Sequence, residues 1–155
     1  MTRSMVNLEL LKKLRNETQV SFADCRKALE ETNNDYEKAK EWLRSHGLEK
    51  AAKKGDRETK QGLIDSYIHQ NGRVGVLLEI LCETDFVART EDFKKLAHEV
   101  SMQVAAMNPS NVDNLLKQEY IRDNSKTIEV LVKEAIAKLG ENITIKRFHR
   151  LEIGE

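Results

Sequence analysis

The chain of 155 residues has one proline, two cysteines, four histidines, no net charge and no long apolar run. Each shortage closes off a class of protein. With 26 Lys and Arg against 26 Asp and Glu, there is no net field for general nucleic-acid or anionic-membrane binding. Cys25 and Cys82 lie far apart with no CxxC, which excludes a zinc ribbon or a disulfide framework. Reduced thiols in a cytosolic compartment are the economical reading, so a cytoplasmic location is expected, with an organelle matrix left open. No stretch approaches the roughly 18 apolar residues that span a bilayer. There is no GxxxxGK[ST], so no nucleotide is held through a phosphate loop, and no cofactor or metal site is expected. Met1-Thr-Arg-Ser-Met5 is too short and polar for a signal peptide and reads as a leader or a cloning remnant.

What the chain does have is three blocks of different texture. Residues 6–47 read as three short helices. Asn7 caps the first, with Val6 and Leu11 at the spacing of a hydrophobic staple, and Leu10, Leu11 and Leu14 share a face. Ser21 with Asp24 resembles a capping box for the second, which offers Cys25, Ala28 and Leu29 to the interior. Asn34 with Glu37 caps the third, which buries Ala39, Trp42 and Leu43 and ends at Gly47, with His46 as a helix-end cation. Three such helices in about 40 residues have the layout of a ubiquitin-associated-like bundle. Residues 48–57 are polar and helix-prone and read as a linker, helical in its first turns.

Residues 58–155 read as a core of three antiparallel strands packed with helices, which makes the whole chain α+β. Asn71-Gly72 between two apolar runs predicts a hairpin over 61–83. Its two faces, one with Leu63, Tyr67, Val76, Leu78 and Ile80 and the other with Ile64, Ile68, Leu77 and Leu81, are both apolar. A sheet wet on one side should alternate more cleanly, so self-association is expected. Thr90 caps a helix carrying Phe93, Leu96, Ala97, Val100, Val104 and Met107, with Met102 and Met107 as core filling, and Pro109 ends it. Residues 111–124 read as a short helix through Leu115-Leu116 and a loop. Ser125 opens an amphipathic helix that stops at Gly140. A last strand, Ile143 to Ile153, stumbles at Arg147-Phe-His149, where a bulge is expected.

The stretch of most interest is Cys82-Glu-Thr-Asp-Phe-Val87, a corner between a buried strand and a helix that carries a large aromatic beside a carboxylate. Phe86 either folds back to plug its own domain or projects as a contact; a corner held at both ends can be pushed into another molecule without collapsing. No catalytic constellation assembles. A small enzyme built on Cys82 and Asp85 lacks a supporting His, and the histidines are scattered. His149, in the irregular strand, is the one histidine read as a surface, partner-binding residue.

Thr84-Asp-Phe-Val-Ala-Arg89 at a strand end, behind Thr18-Gln-Val-Ser-Phe-Ala-Asp24-Cys25-Arg-Lys-Ala-Leu29 and Tyr36-Glu-Lys-Ala-Lys-Glu-Trp-Leu43, resembles the elongation factor Ts family. Ser125 to Asn142 and the ensuing Ile-Lys-Arg-Phe148 fit the same resemblance. Departures are Gln19-Val20 where the family has a Gly-containing turn, Phe22-Ala23 in place of a Met pair, and a shorter stretch at 110–120. The resemblance implies a guanine-nucleotide exchange factor for elongation factor Tu that works by binding. Thr84, Asp85, Phe86 and Val87 would disturb the partner's Mg²⁺ site, Arg15, Phe22 and Arg26 would give a second handhold, and Lys54 a linker contact. It also implies a homodimer, because short members complete their second half by pairing. The alternative is a ubiquitin-associated adaptor without exchange activity.

Overall fold

The computed structural model describes residues 5–155. The leader assignment at Met1–Ser4 falls outside them. The fold is α+β and divides into two compact units, residues 1–50 and 51–155.

The first unit is built from α1 (Leu8–Thr18), α2 (Phe22–Glu31) and the greater part of α3 (Tyr36–Lys53). Leu14, Cys25, Ala28, Leu29, Ala39 and Leu43 form its core, with Val6, Leu10, Leu11, Val20, Tyr36 and Trp42 packed around it. The Asn7 side chain takes the N–H groups of Glu9 and Leu10 as expected of a first N-cap. Two details at the third helix differ from expectation. Asp35, not Asn34, takes the N–H of Lys38 (3.1 Å), while Asn34 accepts from Asn7 N–H (2.9 Å) and ties the start of α1 to the α2–α3 turn. Nor does α3 stop at Gly47. A glycine inside a helix costs only about 1 kcal/mol, and the good helix formers Leu48 to Lys53 carry the helix onward. His46 is therefore a mid-helix residue, stacked on the half-buried Trp42 ring at 4.6 Å.

The second unit holds β1 (Gln61–Ile68), β2 (Val74–Cys82), α4 (Asp85–Ala88), α5 (Glu91–Met107), α6 (Val112–Lys117), β3 (Glu119–Tyr120), β4 (Asp123–Thr127), α7 (Ile128–Leu139) and β5 (Ile143–Glu152). β1, β2 and β5 form an antiparallel sheet in that order, with β2 central. The β1–β2 register is that of an Asn71-Gly72 hairpin, although the tight turn sits earlier: Gly72 N–H reaches His69 C=O (2.7 Å), and Gly72, unlike Asn71, takes positive φ, 70°. The extra residue in β5 is Lys146, between the Ile80–Ile145 and Glu79–Arg147 pairs, just ahead of the stretch where a bulge was expected.

One face of the sheet, through Val76, Leu78 and Ile80, is sealed by α5 with Phe93, Leu96, Ala97, Val100 and Val104. Met107, in the last turn of α5, is half exposed instead of filling the core. On the other face, Ile64, Ile68, Leu77, Leu151 and Ile153 stand exposed. Ser125 does not open α7: residues 123–127 pair with β3, and Thr127 is the N-cap. No helix among the described residues is long and apolar enough to cross a membrane.

Candidate functional site

The strand β2 delivers the corner. Cys82 is fully buried at its end, where burial, with the Glu141 and Asp85 charges adding, pushes the thiol up to about 11. A thiol so protonated is a poor nucleophile. Its S–H points at Thr84 C=O (3.2 Å). The chain then turns into the single helical turn of α4. Thr84 is the N-cap, its hydroxyl accepting from Val87 N–H (3.3 Å). Val87 and Ala88 face inward and are buried, so Phe86, between them and Asp85, must face outward. The ring is 80% exposed. Asp85 forms an ion pair with Arg89, one turn on. Asp85, Phe86, Arg89 and Thr90 line an open depression of about 470 Å³.

The corner does not hold itself. Glu141, between α7 and β5, takes the Thr84 N–H on one oxygen (2.9 Å) and the Thr84 hydroxyl on the other (2.7 Å). Glu83 takes the N–H of Asn142 (2.8 Å), and Asn142 donates its side-chain amide to the carbonyls of Arg57 (2.8 Å) and Gly55 (3.3 Å). Lys54 Nζ donates to Gly140 C=O (3.2 Å), at the C-terminal end of α7, where a cation is favoured. Lys54 thus joins the network beneath the corner. His149 does not: it lies on the exposed face of the sheet, paired across from Leu77.

The first unit brings Arg15 and Phe22 together. The Arg15 guanidinium lies 5.4 Å from the centre of the Phe22 ring, which is 57% exposed at the start of α2. Arg26 points along the surface of α2 to Glu30 (3.0 Å). Ser21 accepts from Asp24 N–H (3.2 Å) and donates to the Asp24 carboxylate (3.0 Å), so the reciprocal bond to backbone expected of a capping box is replaced by a side-chain contact. Burial alone would raise Asp24, but hydrogen bonds from Lys50 and Ser21 hold its carboxyl below the usual range.

Glu83, Glu141 and Asn142 were missed in the sequence because the contacts that join them to the corner span 57 to 59 residues and leave no local periodicity. Among the described residues no group of three or more His, Cys, Asp or Glu is set to hold a metal. What the second unit offers is a hydrogen-bonded corner with an exposed aromatic, the chemistry of a protein that acts by docking.

Comparison with known proteins agrees. The family model described as "Elongation factor TS" matches residues 83–155, and the one described as "Elongation factor Ts, mitochondrial, N-terminal" matches residues 2–55. Among similar proteins, the elongation factor Ts of Fervidobacterium nodosum is 42% identical over 195 aligned positions, covering 97% of this chain and 99% of the relative. That of Coprothermobacter proteolyticus is 43% identical with the same coverage, and that of Syntrophomonas wolfei 40% over 196 positions, covering 97% and 92%. The chain belongs to the elongation factor Ts family. The alignments span 195 or 196 positions but only 97% of this chain's 155 residues, about 150, so each of these relatives carries about 45 residues with no counterpart here.

Proposed function

We propose that this protein speeds the release of GDP from elongation factor Tu, with the Thr84–Val87 corner as the part that disturbs the nucleotide site. Membership of the family supports exchange in outline, and exchange of this kind proceeds by binding, with no covalent step. The observation that carries the finer reading is Phe86: a ring 80% exposed beside a buried Val87, on a turn fixed from below. Exposing it costs the free protein part of the roughly 1.5–3 kcal/mol that burying a phenylalanine is worth. Docking recovers that energy. The ring wedges between side chains near the partner's Mg²⁺, Asp85 perturbs the polar groups that place the ion, and Thr84 and Val87 keep the corner in shape.

A 10⁴-fold preference for the nucleotide-free partner needs about 5.5 kcal/mol, which one ring cannot supply. The remainder falls to a second handhold on residues 6–47, through Arg15, Phe22 and Arg26, with Lys54 in the 48–57 linker as a lesser contact; His149, across from Leu77 on the exposed sheet face, meets a second copy of the chain instead. Coupling is reciprocal, so rebinding nucleotide expels the factor. The 58–155 core pairs with a second copy through the exposed sheet face of Ile64, Ile68, Leu77, Leu151 and Ile153; sedimentation at micromolar concentration checks this.

The central test is the release of labelled GDP from elongation factor Tu. Phe86→Ala should slow factor-stimulated release about ten- to a hundredfold, the kinetic equivalent of one lost ring contact, while the melting temperature stays put. An alanine variant as active as the parent would remove the wedge.

A further inference from the structure

The corner that carries Phe86 and the turn between α7 and β5 grip each other through two carboxylates in a reciprocal pattern. Glu83, just before the corner, binds the backbone of Asn142; Glu141, just before Asn142, binds the backbone and hydroxyl of Thr84. The β2–β5 ladder already ends with the Cys82–Ile143 pair. The clasp therefore lies one and two steps beyond the last rung, where strands ordinarily fray. Asn142, buried and bonded to two further carbonyls, anchors the far side.

The chemistry at Thr84 goes beyond preventing fraying. Its hydroxyl has one proton, and the negatively charged Glu141 takes it. A lone pair is thereby left facing Val87 N–H, the bond that closes the helical turn under Phe86. Four residues are too few for a helix to hold its own geometry, so α4 depends on bonds from outside. Glu141 supplies two of them to a single residue.

We infer that Glu141, with Glu83 opposite it, is a positioning residue for nucleotide exchange: it holds the α4 turn so that the Phe86 ring is presented ready to dock. This rests on Phe86 being the docking group. Without the clasp the turn must be ordered during docking, which costs stimulated GDP release about tenfold for each residue's backbone that has to be fixed. Neither carboxylate needs to touch the partner.

The experiment is a double-mutant cycle on GDP release with the full chain, using Glu141→Ala, Phe86→Ala and the pair, accompanied by amide hydrogen exchange of residues 84–90. Glu141→Ala is expected to lose about tenfold and to speed exchange of the 84–90 amides while β2 and α5 stay protected. The pair is expected to lose little more than Phe86→Ala alone, because a ring that is absent cannot be misplaced. Glu141→Gln, which keeps one acceptor oxygen, should recover part of the loss and guards against misfolding of the alanine variant. Losses that multiply in the pair, or unchanged exchange of the 84–90 amides, would overturn the inference while leaving the wedge intact. A Phe86→Ala variant with full activity would instead strike the wedge itself, and the positioning role with it.

Discussion

Two turns of this molecule use the same local device to opposite ends. At Ser21-Phe22 and at Thr84-Asp85-Phe86 a hydroxyl residue caps a helix and an aromatic follows within two positions. In the first, the cap is held by its own neighbour Asp24, and the ring already has a partner in the Arg15 guanidinium. In the second, the cap is held from 57 residues away by Glu141, and the nearby arginine, Arg89, is turned onto Asp85. Among the described residues no such cation lies over the Phe86 ring. A ring with a partner at home gives up something when it docks, and can shift a little to fit; a ring on a fixed turn gives up almost nothing and cannot shift. Under the proposed function the first would be the handhold that sets affinity and the second the wedge that sets rate.

Removing each cap separates the two designs most sharply. Thr84→Ala deletes an N-cap, worth about 1 kcal/mol, together with a hydrogen bond to a carboxylate, and should loosen its turn by about 2 kcal/mol, read from hydrogen exchange of the amides at 86–89. Ser21→Ala deletes a cap whose Asp24 partner keeps two bonds from Lys50, and should cost about 1 kcal/mol. Trp42, the single tryptophan and a residue of the first unit, reports that loss by fluorescence during urea unfolding. Equal losses at the two caps would mean that the long-range clasp adds nothing. The rings themselves give the next contrast. Phe22 is already about half covered, so Phe22→Ala should weaken docking by about 1 kcal/mol, roughly fivefold. That loss belongs in the factor concentration giving half-maximal GDP release, with the maximal rate unchanged. A fall in maximal rate would make Phe22 part of the wedge.

Several of the local contacts were legible in the sequence. Asn7, Thr90 and Ser21 cap where a polar residue precedes an apolar repeat, and the alternating faces of β1 and β2 follow from a period of two. Phe86 was legible as an anomaly, a large ring where a turn should be polar, but whether it pointed in or out depends on Val87 and Ala88 taking the inward positions. The stretch at 111–127 was opaque for a different reason. Its hairpin is held by α5: fully buried Gln103 bonds Glu119 C=O and Ile121 N–H (3.0 Å each), and Tyr120 donates to nearly buried Glu99. Polar residues on the inward face of a helix look like errors in a pattern until the groups they satisfy are in place. Burial and the Glu99 bond raise the Tyr120 hydroxyl to about 12, so it remains a donor at any physiological pH.

The smallest effect tests how finely the first turn is tuned. Gln19, at the end of α1, stands at φ 56°, in the left-handed region that favours glycine. A side chain there costs about 1–2 kcal/mol. Against this, Gln19 donates to Asn16 C=O (2.7 Å) and accepts from Arg15 (3.4 Å), both at the exposed surface, and glycine would regain about 0.5–1 kcal/mol of freedom in the unfolded chain. The balance favours Gln19→Gly by about 0.5 kcal/mol, seen as a later midpoint in Trp42 fluorescence. Gln19→Ala keeps the strain and loses the hydrogen bonds, so it should move the midpoint the other way. Opposite signs would show that the turn before Phe22 carries backbone strain that the 84–87 corner, with no positive φ among its residues, was built without.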